Sequence, residues 1–206
     1  MWGFYLSSDS WALERQGMVG FSATLLSGLP SGDFGVLVEQ GIGPGVNVEY
    51  FINNYISVGG NFGYLLFQSP SLVSPVYDTS TKAFDWPITQ EWKTISYGVF
   101  GKLIFTPEKE FSFYGKGNLM KNSYKIKYER RQPLLPSDST TTKNTATQIS
   151  AGLGVTFDYK KRLGMFAEFL YSGFLEKVKG LKVQFFSFNI GVTFYFGGKK
   201  TQKEVQ

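Results

Sequence analysis

Four charged residues stand inside otherwise alternating apolar and small polar runs, and they are the first candidates for chemistry. They are Glu49, Lys102, Lys116 and Glu168. Two acids and two bases at one depth allow three readings: an acid/base site, an ion path, or a structural network in which opposite charges neutralise one another. A lone buried charge costs several kcal/mol, so mutual pairing is expected. Paired carboxylates for glycoside hydrolysis would have to flank a cleft. Glu49 and Glu168 instead face a filled interior, and the structural network is the favoured reading. The chain has no His and no Cys. That removes imidazole-based triads and dyads, thiolate nucleophiles, disulfides and the commonest zinc ligands. Serine-rich loops offer hydroxyls without a recognisable base, and pairs such as Gly59-Gly60 lack the phosphate-loop pattern. No catalytic residue, cofactor or metal site is expected.

The elements that must hold these charges are strands. Helical periodicity is nearly absent, whereas period-two alternation runs through most of the 206 residues. Phe186, Phe188, Ile190, Val192, Phe194 and Phe196 alternate with Ser187, Asn189, Gly191, Thr193 and Tyr195. Ile149, Ala151, Leu153, Val155, Phe157 and Tyr159 alternate with Ser150, Gly152, Gly154, Thr156 and Asp158. Successive Cβ atoms point to opposite faces, so each run has one bulky apolar face and one small polar face. Eight strands are predicted, at about 17–27, 36–51, 55–67, 91–105, 111–128, 147–159, 164–174 and 181–196. Pro44 has no N–H to give to a ladder, and Pro44-Gly45 is placed at a bulge or near the outer rim.

The connections alternate in length. Tight turns are expected at 52–54, 106–110 and 160–163, and longer links at 28–35, 68–90, 129–146 and 175–180. The polar tract Pro136-Ser137-Asp138-Ser139-Thr140-Thr141-Thr142 reads as a mobile surface loop. In an up-and-down meander the two kinds of connection lie at opposite ends. Short turns at one end and long links at the other are a property of outer-membrane barrels.

The polar face decides which way the sheet curls. Ser57, Gly59, Asn61, Gly63, Thr94, Ser96 and Gly98 are too small for a soluble exterior, which favours Lys and Glu. They suit the crowded interior of an eight-stranded barrel. Ile95, Tyr97, Val99, Leu103 and Phe105 then face outward beside Val58, Phe62, Tyr64 and Leu66 as a continuous band suited to hydrocarbon. Tyr50, Tyr55, Phe105, Phe111, Tyr159, Phe194 and Phe196 would gird the tight-turn end. The fold expected is an all-β, eight-stranded antiparallel up-and-down transmembrane β-barrel. Closure pairs every backbone polar group within the wall, as lipid requires.

Residues 17–196 resemble the small outer-membrane barrels of Gram-negative bacteria, the OmpA transmembrane-domain and OmpX-like group. The resemblance is carried by Gly45-Val46-Asn47-Val48-Glu49-Tyr50-Phe51, by Ile56-Ser57-Val58-Gly59-Gly60, and by the closing strand Phe188 to Phe196. It implies a location in the outer membrane, outer-membrane lipids as surroundings, and passage through the barrel-assembly machinery. The group usually ends on an aromatic residue, whereas ten residues follow Phe196 here. Related barrel enzymes, the lipid A deacylases, palmitoyl transferases and omptin proteases, use His, which this chain lacks. The function expected is therefore non-enzymatic: a filled barrel supporting envelope integrity or surface interaction through its loops, with an unidentified surface partner. A soluble or periplasmic lipid-binding barrel and a narrow low-conductance channel are the alternatives.

Net charge is +5 and charged residues make up 18 % of the chain, below the usual quarter. Basic residues are scattered rather than massed on one face, so nucleic acid is not an expected partner. Lys125, Lys127, Arg130 and Arg131 fall near the outer rim, where they serve either as contacts to lipopolysaccharide phosphates or simply as the solvated charges of a long strand end. Residues 1–16 are set apart as an N-terminal segment, within which residues 1–12 read either as the rear of a truncated signal peptide, since Ser10-Trp11-Ala12 has the small-x-small form of a cleavage site, or as an ordinary frayed terminus. Residues 17–196 form the barrel, and 197–206 a polar tail.

Overall fold

The computed structural model describes residues 15–32, 34–35, 38–68, 76–78, 83–85, 88–107, 109–130, 138–159, 162–178, 180 and 182–197. The candidate signal remnant at residues 1–12, Arg131, and the tail beyond Gly197 lie outside the described residues. Among the described residues ten strands occur: β1 Met18–Ser31, β2 Gly41–Phe51, β3 Ile56–Gln68, β4 Val76–Asp78, β5 Ala83–Asp85, β6 Ile88–Ile104, β7 Phe111–Arg130, β8 Asp138–Tyr159, β9 Leu163–Phe174 and β10 Gln184–Gly197. Eight of them close a barrel in the order β1-β10-β9-β8-β7-β6-β3-β2, and β4 pairs with β5 as a separate hairpin. Every neighbouring pair is antiparallel, and β1 closes on β10 from Met18↔Gly197 to Ser31↔Gln184. The barrel has no free edge around its closed girth.

The apolar face points out. Phe188 and Leu153 are 48 % and 65 % exposed, while Ser57 and Ser112 on the opposite face are fully buried. The aromatic residues at the tight-turn end, Tyr50, Tyr55, Phe105, Phe111, Tyr159, Phe194 and Phe196, are all exposed on the outer wall. Inside, polar side chains bond around the circumference: Ser22 with Thr193 at 2.8 Å, Asn118 to Ser150 at 2.9 Å, and Asn61 to Asn118 at 3.2 Å.

The structure departs from the sequence reading at the long-link end. The Glu129 to Ala146 segment is mostly strand. β7 and β8 stay paired as far as Arg130↔Asp138, ten residues beyond the last β8–β9 pair, Gln148↔Phe174. Threonine explains the difference, because its β-branched side chain suits a pleated surface despite its polarity. The 68–90 link holds the β4–β5 hairpin. β2 begins at Gly41 rather than residue 36, since the chain before it turns inward and buries Phe34 and Val38. Pro44 is not at a bulge, for the β1–β2 register runs unshifted through Leu25↔Pro44. The β2–β3 pairing passes from Ile42↔Leu66 to Gly45↔Gly63, so the ladder skips Gly43 and Pro44 without slipping. The missing proline N–H is accommodated by leaving a gap in the ladder.

Candidate functional site

The interior is stacked in levels. At the tight-turn end Arg15 folds under the barrel and is 2 % exposed. Its guanidinium pairs with Asp158 and donates to Ser112 Oγ at 3.1 Å. Tyr195 donates to the same Asp158 at 3.1 Å. Asn54 in the β2–β3 turn accepts the Arg15 backbone N–H at 3.0 Å, which fixes the entry of the chain. Met18, Phe51, Ile104, Tyr114 and Tyr195 pack around this point.

The next level holds the four inward charges. Lys102 and Lys116 are directly opposite one another on β6 and β7, an arrangement that repels. Each meets a carboxylate. Lys102 Nζ donates to Glu49 Oε2 at 2.9 Å, and Lys116 Nζ donates to both Glu168 oxygens at 2.9 Å. Lys102 also lies 3.9 Å from Glu168, which ties the two pairs into one group. Further donors complete the carboxylates. Ser57 bonds Glu49, while Tyr114 and Asn189 donate to Glu168 at 3.0 and 3.4 Å. The ammonium of Lys102 sits 4.6 Å from the Tyr114 ring centroid and that of Lys116 4.6 Å from Phe100. Both carboxylates are thus engaged by lysines, with Glu168 and Lys116 also bordering the chamber above them and Glu49 and Lys102 a small gap below. Among the described residues no group of three or more potential metal ligands occurs.

Above the charges lies a chamber of about 60 Å³ with mixed walls, where Asn61, Asn118 and Asn189 stand beside Leu26, Met120 and Leu170. It is closed toward the long links by an apolar cap that the sequence reading missed. Phe67, Trp92, Tyr124, Ile126, Phe174 and Phe185 turn inward from five strands, and Phe34, Val38, Val178 and Val183 pack on them from the connecting segments. Phe34 meets Trp92 with ring centroids 4.8 Å apart. The signal was present in the sequence as the unbroken apolar run Tyr64-Leu65-Leu66-Phe67, which marks a strand end apolar on its inner face as well as its outer one. Arg15 was also missed, because it precedes the first alternating run.

Of the four basic positions assigned to the outer rim, Lys125 is exposed and faces outward from β7, and Lys127 is half-buried on the same face. Arg130 ends β7. The structure does not bring them to the inner charges.

The sequence matches the family described as outer membrane protein beta-barrel domain over residues 10–196. The chain belongs to this family. No curated protein matches it. Solved structures of three outer-membrane barrels share its fold. The attachment invasion locus protein Ail of Yersinia pestis is 18 % identical with a TM-score of 0.58, over 88 % of this chain and 99 % of that one. Neisserial surface protein A is 16 % identical with a TM-score of 0.61, over 88 % and 98 %. OprG of Pseudomonas aeruginosa is 10 % identical with a TM-score of 0.56, over 91 % and 99 %. Membership fixes the meaning of the outward apolar wall in this outer membrane protein beta-barrel domain: it is a lipid-facing surface.

Proposed function

We propose that the protein is a non-enzymatic barrel of the outer membrane of a Gram-negative bacterium, a sealed scaffold that displays its long links for surface contact. The observation that carries this reading is the lumen, occupied in series by Arg15–Asp158, by the Glu49, Lys102, Lys116 and Glu168 group, and by the apolar cap. A lumen so filled speaks against the narrow-channel reading. The outward apolar wall speaks against a soluble lipid-binding barrel. The tight turns then face the periplasm and the long links the exterior. The attachment invasion locus protein has the same fold, and its name supports surface attachment as the kind of contact. The paired β7 and β8 ends and the β4–β5 hairpin are what such a contact would meet first. Assembly by the barrel-assembly machinery completes the proposal.

The test is adhesion of intact cells. Cells carrying the wild-type chain should bind a host-cell or matrix surface better than cells in which links 69–87 and 131–137 are replaced by short turns. Both barrels must show heat-modifiable gel migration and outer-membrane fractionation. Equal adhesion by the two would remove the surface-contact function, and recovery of either chain in the soluble fraction would remove the location.

A further inference from the structure

Lysines also stand opposite one another on the outside of the barrel, and there the charges are not balanced. On the outward faces of β6, β7 and β8, Lys93 pairs in register with Lys125, and Lys125 pairs with Lys143. With strands about 4.8 Å apart, the three side chains start within roughly 10 Å of one another. Lys121 lies on the same face of β7, opposite Tyr97 and Thr147. Like charges directly opposite destabilise a sheet. Inside the barrel the two adjacent lysines each have a glutamate. Outside, Glu91 meets Lys93 at 2.7 Å, and among the described residues Lys125 and Lys143 make no ion pair. Glu176 stands near Lys121 but is engaged by the Thr147 backbone N–H and hydroxyl at 2.6 and 2.9 Å.

Depth says what anion belongs there. On β7 the outward side chains are Phe111 and Phe113 at one end and Leu119 as the last apolar one, followed by Lys121, Ser123 and Lys125. The ten residue-to-residue steps from Phe111 to Lys121, on a strand tilted by about 40°, rise roughly 25 Å, the height of the apolar band. Lys121 therefore marks the top of the hydrocarbon, and the row at Lys125 stands roughly 10 Å higher, in the headgroup layer. We propose that Lys93, Lys125 and Lys143, with Lys121 below them, bind the phosphate groups of anionic glycolipids in the outer leaflet. The ammonium groups supply charge-assisted hydrogen bonds to phosphate oxygens, and the anion relieves the repulsion along the row. The proposal rests on the orientation given above but not on the surface-contact role, so the two fail separately.

The experiment titrates the whole chain, folded in zwitterionic micelles, with three probes: purified lipopolysaccharide, the same glycolipid after enzymatic dephosphorylation, and a soluble sulfated polysaccharide. The expected result is binding of the phosphorylated glycolipid that weakens with salt. It should fall roughly tenfold in K93Q/K125Q/K143Q and return in K93R/K125R/K143R. The variant K109Q/R162Q, which removes charge at the tight-turn end, should bind like wild type. Heat-modifiable migration establishes that each variant is folded, and if the triple glutamine variant is not, Lys125→Gln alone should lose roughly threefold. Unchanged binding by the folded glutamine variants, or equal binding of the dephosphorylated glycolipid, would overturn the proposal. So would binding of the sulfated polysaccharide as tight as that of the glycolipid, since the row would then serve a soluble polyanion.

Discussion

Glu168 is 2 % exposed and accepts from Lys116, Tyr114 and Asn189. Removing the Lys116 ammonium leaves that carboxylate in the lumen with its nearest cation 3.9 Å away on Lys102. Lys116→Ala should destabilise the barrel by about 3–5 kcal/mol, read as a lower urea midpoint in micelles. Adding Glu168→Gln should restore much of the loss, because the glutamine carries no charge to strand. A Lys116→Ala chain as stable as wild type would mean that the pair is solvated. The positions of these charges were legible in the sequence, since parity along each strand assigns a face to every residue. Which lysine meets which glutamate was not, because partners across the lumen depend on the stagger of strands that periodicity leaves free. Arg15 had no parity to read at all. It enters beneath the wall from outside the alternating runs, and only the fold puts it beside Asp158.

Two features belong to the scale of elements. The first is the gap in the β2–β3 ladder at Gly43 and Pro44. A Cβ on Gly43 would sit 1.8 Å from the Tyr64 carbonyl oxygen and 2.8 Å from its carbon. Both are backbone atoms, so Gly43→Ala must push β2 and β3 apart where the ladder is already interrupted. A loss of about 1–3 kcal/mol in the same urea assay is expected, whereas Gly117→Ala, with nothing within 4 Å of the new methyl, should be close to neutral. Equal effects at the two sites would count against the close approach. The second feature is Glu176, which fastens the β9–β10 link to β8 at Thr147. The Thr147 backbone N–H, and then its hydroxyl, hold the Glu176 carboxyl below its ordinary 4.5. Because the folded value is depressed, the clamp is in place above the ordinary glutamate range and is lost as pH falls through the lowered one. The Thr147 amide proton resonance should titrate with an inflection below 4.5, and this inflection should vanish in Glu176→Ala. An inflection at or above 4.5 would show that the bond does not favour the ionised form. Element identity was easy to read where an apolar face alternates with a small one. It failed along Ser139 to Thr142, where both faces are polar and only the β-branched shape of threonine signals a strand.

At the scale of the whole molecule the barrel is closed by barriers of opposite character. The ionic levels at the tight-turn end are polar and held by hydrogen bonds, whereas the cap at the long-link end excludes water by apolar packing. Between them the chamber of about 60 Å³ has room for water, and Asn61, Asn118 and Asn189 in its mixed walls offer polar groups to bind it. The cap was the least legible part of the architecture. Its residues come from strands far apart in sequence, and an inward Trp92 or Phe185 looks in isolation like any core aromatic. Two seals in series behave differently from one. Trp92→Ala would loosen the outer cap but leave the ionic levels, and Arg15→Ala would open the lower end beneath an intact cap. In planar bilayers the wild type and each of these single variants should therefore carry no steady current at any voltage. A stable ohmic step from Trp92→Ala alone would show that the charged levels leak and that the cap is the one real barrier. A step from Arg15→Ala alone would put the barrier at the tight-turn end instead. Silence from both is what serial plugging demands, and it is what the proposed surface scaffold requires.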